Sequence, residues 1–426
     1  MILAATLANK KMPSKILLSH PVGNANVKQA ALAFVEADML EEFWTSISWG
    51  EQSWANAVLP KSIKKELMRR GYHQSVLEIT KHYPWYEIVR LVAPKFGLGH
   101  LVATENGWFS TNHCHEVLDT KVARRIGAFP GLSVVYAYDH CAMESFKTAR
   151  SIGAKCIYDL PIAYWRLLQK IILEEIELQP GWRGTAPSIH FPREVFDRKD
   201  EELMLADHVV VASQFTKKSL QLLSQMHAPV TVIPYGAPQP VAFHRVNQSR
   251  QRKLRVLYVG RLGLAKGLPY LLDATSQLGG MVELTLIGAH GGASVALDAA
   301  LNMHKWIPSL SNQDILAEMD RHDVFVFPSL CDGFGLVILE ALSRGLPVIT
   351  TPHTGGPDVL TEGEDGFIVP IRSSAAIVEK LELLIEDREL LARMSNAALH
   401  KAAACSWEEY RGRLVEMVCH TIEGKT

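Results

Sequence analysis

Two carboxylates stand close together in a largely apolar stretch of the chain. Residues 329–351 read SLCDGFGLVILEALSRGLPVITT, with Asp332 before a Gly-Phe-Gly turn and Glu340 eight residues after that aspartate. A carboxylate among apolar neighbours needs a partner. Asp332 could cap the helix that follows, and Glu340 could lie on a solvated helix face. Because mostly apolar residues surround Glu340, a carboxylate that accepts hydrogen bonds from sugar hydroxyls explains its place better.

The turn between the two acids could bind an anion. Gly333 and Gly335 have no Cβ, so backbone amides there can approach a phosphate closely. A helix that begins near Gly335 would direct its free amides and the positive end of its dipole at the same place. Between a strand and a helix, this turn indicates a phosphate site.

Two cations in another strand-to-helix loop suit a diphosphate. In VGRLGLAKG, Arg261 directly follows a predicted strand and Lys266 lies five residues later. Arginine can bind phosphate in a forked manner, whereas lysine acts as a mobile point charge. By spacing alone, two solvated surface cations fit the pattern equally well.

Apolar runs separated by helix-length segments must position these residues. In the second half the runs span residues 254–260, 282–288, 323–329, 347–351 and 366–370, with helices expected over 267–278 and 313–321. In the first half strands are expected over 15–20, 132–139, 155–161, 207–213 and 230–236, and helices over 27–40, 143–152, 164–178 and 215–224. This alternation predicts parallel sheets covered by helices on both faces.

The chain is long enough for two such units. It has 426 residues, and prolines and polar residues at 236–253 interrupt the pattern. We therefore expect an α/β protein with two doubly wound, Rossmann-like domains, residues 1–240 and 241–405, that face each other across a cleft. A final helix over 406–426 could fold back to the first domain or simply end the second.

The first half offers candidates for the other wall of the cleft. The loop after the first strand carries Gly23, Asn24 and Asn26, whose amides could donate to phosphate or sugar oxygens or could simply favour a turn. Asp159 could bind acceptor hydroxyls or merely end a strand, and His140 could help to shape the site. No cluster of metal ligands accompanies them, so no metal site is expected.

The amino-acid composition indicates in which compartment the protein acts and which partners it does not attract. The net charge is −1, so no overall charge attracts nucleic acid. Six cysteines without paired spacing suit a reducing compartment. No stretch approaches the ~18 apolar residues of a membrane span, and the start lacks the order of a secretory signal, which predicts a cytoplasmic protein.

A stretch over residues 43–70 mixes aromatic and basic side chains. These are Trp44, Trp49, Trp54, Lys61, Lys64, Lys65, Arg69 and Arg70. Such a mixture could hold the protein peripherally on the anionic inner face of a membrane. Alternatively, the tryptophans belong to the core and the bases form a solvated helix face.

Three motifs, VGRL…KG, FVFPS…DGFGLVILEALSRGLPVITT and GEDGFIVP, resemble in this order the nucleotide-sugar-binding domain of GT-B glycosyltransferases of family 4, in group 1. The resemblance covers about residues 254–370 and continues weakly to the final helix. It implies a GT-B fold and the transfer, with retention, of a sugar from a UDP- or GDP-sugar to a hydroxyl of a glycan, polysaccharide or glycolipid precursor. It implies no cofactor besides this co-substrate.

The resemblance also implies roles for individual residues. Arg261 and Lys266 would neutralise the diphosphate leaving group, Glu340 would bind the ribose, and Asp332 would meet the donor sugar. Amides around Gly333, Phe334, Gly335 and Leu336 would touch sugar and phosphate, and the loop at Gly23 would reach the diphosphate from across the cleft. The family usually has glutamate where this chain has Asp332, so the donor sugar stays open. It often has a histidine near Asp159, and the aspartate there leaves a non-catalytic sugar-nucleotide binder open.

Other functions fit parts of the same pattern. A GT-B sugar-nucleotide epimerase would need no acceptor, and a phosphorylase of this architecture would hold pyridoxal phosphate on a lysine. A non-catalytic sugar-nucleotide binder would keep the donor site alone. A Rossmann dehydrogenase is disfavoured because no Gly-x-Gly-x-x-Gly follows a strand.

Overall fold

Parallel strands form one sheet in each half of the chain. The computed structural model describes residues 14–50, 70–103, 107–189, 191–243 and 252–425. Within these ranges a seven-stranded sheet has the order β3-β2-β1-β4-β5-β6-β7, and a six-stranded sheet has the order β10-β9-β8-β11-β12-β13. The two-domain α/β architecture expected from the sequence is confirmed.

The first sheet begins at the amino-terminal end of the described chain. Its strands are β1 (Lys15–Ser19), β2 (Leu40–Thr45), β3 (Thr80–His82), β4 (Leu132–Tyr138), β5 (Lys155–Leu160), β6 (His208–Val211) and β7 (Val230–Val232). Its helices are α1 (Ala25–Glu36), α2 (Gln74–Leu77), α3 (Trp85–Val92), α4 (Thr111–Gly127), α5 (Met143–Ser151), α6 (Trp165–Leu178), α7 (Arg193–Leu205) and α8 (Gln214–Ser219). Buried apolar residues of the strands pack against these helices.

The second sheet and its helices follow the linker. Its strands are β8 (Leu254–Val259), β9 (Val282–Ile287), β10 (Lys305–Ile307), β11 (Val324–Phe327), β12 (Val348–Thr350) and β13 (Gly366–Ile368). The helices are α9 (Leu268–Leu278), α10 (Val295–Met303), α11 (Asn312–Met319), α12 (Leu336–Ser343), α13 (Gly356–Val359), α14 (Ser374–Glu386), α15 (Arg388–Ala404) and α16 (Trp407–Glu423). The strands that the apolar runs predicted are all present.

Three further strands, β2, β3 and β10, lack the apolar pattern. In β2 the buried Glu42 accepts hydrogen bonds from Arg125 Nη2 at 2.7 Å and from Trp44 Nε1 at 2.8 Å. Strands β3 and β10 have three residues each and lie at sheet edges. A buried glutamate paired with a partly exposed arginine, and short edge strands, leave no continuous apolar run in the sequence.

The helix expected over residues 27–40 was predicted too long. It ends at Glu36, and Asp38 adopts a left-handed conformation with φ of 55°. Aspartate tolerates this conformation better than most residues, and it reverses the chain at once into β2. Leu40 therefore lies in a strand.

The final helix, α16, packs against the first domain. Arg411 Nε donates to Glu36 at 2.8 Å and Arg411 Nη1 donates to Gln29 Oε1 at 2.7 Å, both on α1. The ring of Tyr410, also on α16, lies 5.7 Å from that of Tyr235. The last helix thus connects the end of the second domain to the helices of the first.

The aromatic and basic stretch over 43–70 is described only in part. Trp54, Lys61, Lys64, Lys65 and Arg69 lie outside the described residues. Arg70 is buried, and its Nη2 lies 3.2 Å from Glu87 Oε1, so the expectation of a solvated base is wrong at this position. In the described part of the chain, no helix is long and apolar enough to cross a membrane.

A buried carboxylate on α6 connects the two domains. Glu175 is 0% exposed and accepts hydrogen bonds from Tyr270 Oη and Arg372 Nε, each at 2.6 Å. Its neighbour Glu174 reaches the same arginine at 3.2 Å but is 44% exposed. Removing one partner of a buried pair leaves the others unpaired, whereas an exposed ion pair contributes little.

We therefore expect Glu175→Ala to lower the free energy of unfolding by about 3–5 kcal/mol. The matched variant Glu174→Ala, which loses only the exposed contact to Arg372, should lose less than about 1 kcal/mol. Urea-induced unfolding followed by circular dichroism measures both. Equal losses for the two variants would contradict a stabilising role for the buried contact.

Candidate active site

Loops that follow the strands of both sheets line one cleft. A cavity of about 530 Å³ is bounded on the first-domain side by residues after β1 and β5 and on the second-domain side by residues after β8 and β11. A smaller cavity of about 220 Å³ adjoins it, and the two share Ile162, Lys266 and Asp332. The larger volume lies in the range typical of ligand pockets.

An ion pair lies where the two cavities meet. Lys266, at the end of the 3-10 turn Leu264–Lys266, pairs through Nζ with Asp332 Oδ2. The ammonium also lies 5.6 Å from the centre of the Phe327 ring. Both partners are only partly exposed, so the charge of each is balanced mainly by the other.

The loop after Asp332 is seated on the first domain. The carbonyl of Gly333 accepts hydrogen bonds from Ser213 Oγ at 2.5 Å and from Thr216 Oγ1 at 3.1 Å. A Cβ at this position would lie 1.8 Å from the carbonyl oxygen of Pro161. Glycine is therefore needed here for the close approach of the two domains.

The start of α12 presents backbone amides to the larger cavity. Gly335 precedes the helix with φ of 82°, a conformation that favours glycine, and it supplies no side-chain cap. Leu336 and Val337 line the cavity. The first amides of a helix have no partner within the helix, so this end can donate to an anion.

Glu340 lies further along α12 and lines the same cavity. Its Oε1 accepts a hydrogen bond from Asn312 Nδ2 at 2.7 Å. Partial burial raises the pKa of Glu340 above the ordinary glutamate value, and the bond from Asn312 opposes that shift. A half-buried carboxylate with one neutral partner retains acceptor capacity for a ligand hydroxyl.

Arg261 lies in the smaller cavity with Lys266. Its side chain is exposed, and Nη2 donates to the carbonyl of Gly291 at 2.8 Å. The carbonyl of Arg261 accepts from Tyr258 Oη at 2.9 Å. These contacts hold the two cations of the loop on the same side of the cleft.

The loop after β1 forms the opposite wall. Asn24 is exposed, makes no side-chain cap to α1 and lines the larger cavity. Asn26 is buried and its Nδ2 donates to Tyr235 Oη at 3.3 Å. Gly23 packs against Tyr72. Within the described residues the Asn24 side chain makes no hydrogen bond to α1, so its amide can donate to a ligand in the cavity.

Asp159 and His140 lie outside these cavities. Asp159 is buried, its Oδ2 accepts from Tyr136 Oη at 2.7 Å, and burial raises its pKa to about 7. His140 is buried with φ of 64°, and burial lowers its pKa to about 3, so its ring is neutral at neutral pH. Neither side chain lines these two cavities, and a contact between Asp159 and acceptor hydroxyls stays a prediction.

Several cleft residues escaped the sequence reasoning. Tyr235 lines the larger cavity and packs 5.1 Å from Phe334, ring centre to ring centre. Thr185 lines the smaller one, where its Oγ1 accepts from the amide of Leu264 at 3.1 Å. Tyr235 could have been predicted as a cleft residue, because it is an aromatic residue directly before the linker. Nothing in the local sequence indicates that Thr185 lies at the cleft.

The described residues contain no group of three or more histidine, cysteine, aspartate or glutamate side chains that could hold a metal ion. Polar groups at the cleft include two cations, two carboxylates, the Asn24 amide and the uncapped start of a helix. Cations and amides suit phosphate, and carboxylates suit hydroxyl groups.

Comparison with known proteins finds similarity to one family in the second domain. Residues 242–401 match the family model of glycosyl transferases group 1. A sucrose synthase from Acidithiobacillus caldus is 30% identical over 200 residues, 40% of this chain and 25% of that protein. The capsular polysaccharide biosynthesis glycosyltransferase CapM from Staphylococcus aureus is 28% identical over 206 residues, 43% of this chain and 50% of CapM. The chain thus spans half or less of these relatives' own lengths.

Solved structures share the whole fold. Sucrose-phosphate synthase from Thermosynechococcus elongatus has a TM-score of 0.62 at 17% identity, covering 96% of this chain and 100% of that one. HepE from Anabaena, in complex with UDP, has a TM-score of 0.60 at 16% identity, covering 95% and 99%. The chain therefore has the GT-B fold, and residues 242–401 of its second domain are similar to the glycosyl transferases of group 1.

Proposed function

We propose that the protein transfers a sugar from a nucleoside-diphosphate sugar to an acceptor hydroxyl, with retention of configuration. The observation that carries this proposal is the convergence of Lys266, Asp332, Glu340 and the amide end of α12 on one interdomain cleft. The activities named for the group 1 relatives support it.

The donor would extend along the cleft with its nucleoside in the larger cavity. Glu340 would accept hydrogen bonds from the ribose, and the amides at Gly335 and Leu336 would meet the diphosphate. The sugar would then lie beside Asp332 and Gly333, where the smaller cavity begins. HepE was crystallised with UDP and with UDP-glucose, which makes these two the first probes to use.

Positive charge would stabilise the departing diphosphate. As the bond to the sugar breaks, negative charge grows on the leaving phosphate, and Lys266, Arg261 and the helix amides would be in place before it does. The phosphate itself would take the proton of the acceptor hydroxyl, so the scheme needs no protein base. It also needs no metal ion and no cofactor besides the nucleotide sugar.

The acceptor would be a carbohydrate or a glycolipid precursor rather than nucleic acid. Asn24, on the first-domain wall, has a free amide for an acceptor or phosphate oxygen. We further propose a cytoplasmic protein that contacts the inner face of the membrane peripherally.

The first test is binding of UDP- and GDP-sugars, measured as a rise in melting temperature. Wild type should respond to one nucleotide class, and Glu340→Ala should weaken that binding about tenfold or more through the lost ribose contact. Glu379→Ala, at an exposed glutamate on α14, is the control and should respond as wild type does. No response of wild type to any nucleotide sugar would overturn the proposal.

Replacing Lys266 tests the charge on the leaving group. Lys266→Ala should lower kcat by about 10²–10³, because a preorganised charge at the departing phosphate is lost. Lys266→Arg keeps the charge and should retain more of the turnover than the alanine variant. The measurement is UDP or GDP release with the donor found in the binding assay, and an unchanged kcat in the alanine variant would exclude the role.

Replacing Asp332 distinguishes its effect on phosphate binding from its effect on sugar binding. Asp332→Asn removes the carboxylate that pairs with Lys266, so UDP alone should bind more tightly, by about threefold to tenfold. UDP-glucose should gain less, since the sugar loses its carboxylate contact. Calorimetric titration measures both, with Asp332→Glu as the charge-preserving control. Equal gains for UDP and UDP-glucose would argue against a sugar contact.

A further inference from the structure

The first domain carries an exposed apolar surface that the cleft does not use. It consists of Trp85, Ile88, Val92, Phe96, Leu98 and Trp108, and we call it the α3 surface. Trp85 is 67% exposed, Phe96 75% and Trp108 76%. Exposed aromatic side chains grouped in this way mark an interaction site more often than a plain solvated face.

The side chains of this surface share one side of the polypeptide. Trp85, Ile88 and Val92 are spaced three and four residues apart on α3, which places them on one helix face. The 3-10 turn Ala93–Phe96 follows α3 directly, so Phe96 is one turn further along the chain. The segment that carries Trp108 adjoins this turn, because the amide of Phe109 donates to the carbonyl of Leu101 at 2.9 Å and the amide of Leu98 donates to that of Ala93 at 3.0 Å.

The opposite face of α3 is anchored by charge. Glu87 is buried; its Oε1 lies 3.2 Å from Arg70 Nη2 and its Oε2 lies 2.6 Å from Arg90 Nε. The helix is therefore fixed with its polar face inward and its apolar face outward. That orientation is the reverse of an ordinary surface helix of a globular domain.

Exposed cations border this surface. The acidic residue of α3 itself, Glu87, is buried between Arg70 and Arg90, and the exposed Glu78 lies before β3. Lys81 and Lys95 are exposed. Cations bordering an aromatic and aliphatic face complement an anionic lipid headgroup layer.

We propose that the α3 surface docks on an anionic lipid bilayer, with Trp85, Phe96 and Trp108 inserted at the level of the headgroups. The sequence predicted that residues 43–70 contact the membrane, whereas this proposal gives the apolar contact to the α3 surface. Strand β3 leads into α3 at its carboxyl end, the same edge of the sheet from which the loop after β1 enters the cleft. This docking rests on the proposed function, and it implies that the acceptor is a lipid-linked carbohydrate held at the membrane.

The test is flotation with phosphatidylcholine vesicles, with and without about a third of phosphatidylglycerol, at ~0.05 M and ~0.5 M NaCl. Wild type should bind the anionic vesicles at low salt and bind neutral vesicles much less. The triple variant Trp85→Ser, Phe96→Ser, Trp108→Ser should reduce the bound fraction about tenfold or more. The matched triple variant Phe243→Ser, Val295→Ser, Met303→Ser removes equally exposed apolar groups of the second half and should bind as wild type does.

Each outcome decides the proposal. Wild type that ignores anionic vesicles, or a Trp85/Phe96/Trp108 variant that still binds them, overturns it. A wild-type dimer that this variant dissociates, without vesicle binding, would identify the surface as a contact between copies and also overturn it. Binding of UDP-sugars, measured on the same two variants, should stay unchanged, so failure at the membrane is distinguishable from failure of the proposed donor site.

Discussion

The seating of Gly333 on the first domain is the constraint on which the cleft depends. Its carbonyl accepts from Ser213 and Thr216, and the carbonyl of Pro161 leaves no space for a side chain. Because this contact fixes one end of the loop, Asp332 immediately before it is held against Lys266. The geometry of the cleft is therefore a joint property of both domains, and the second domain alone would not reproduce it.

Beyond that loop, further polar contacts join the first domain to the second. The amide of Gln214 donates to Asp358 Oδ1 and Oδ2, each at 3.1 Å, and Phe215 stacks on His353 at 4.6 Å. Burial raises the pKa of Asp358 to about 6. These polar groups have hydrogen-bonding alternatives in water, whereas the apolar contacts between the domains, such as the rings of Tyr235 and Phe334 at 5.1 Å, oppose opening. Opening would also release the carbonyl of Gly333, which links domain motion to the position of Asp332.

The sequence predicted the strands and loops whose structure depends mainly on nearby residues. Strands such as β8 and β11 are buried on both faces, so their apolar runs identify them. Strand β2 escaped because Glu42 is buried with Arg125, a partner 83 residues away that no local pattern reveals. The donor-side loops could be located from glycine, lysine and acid spacing, but Tyr235 and the burial of Asp159 depend on packing between distant elements. Side-chain chemistry alone cannot distinguish a carboxylate that faces a cleft from one that is buried beneath a sheet.

The pairing of Asp332 with Lys266 couples two properties of the proposed donor site. In the free protein the carboxylate neutralises the ammonium, so an arriving diphosphate has to compete with it for Lys266. If phosphate took the lysine as proposed, Asp332 would become available to accept hydrogen bonds from the sugar attached to that phosphate. A glutamate would reach one methylene further into the cleft, whereas this aspartate stays close to the lysine and to the amide of Phe334, which donates to its Oδ1 at 3.3 Å. Phosphate binding would thus precede and enable sugar recognition, so a free sugar would bind this cleft poorly without its nucleotide.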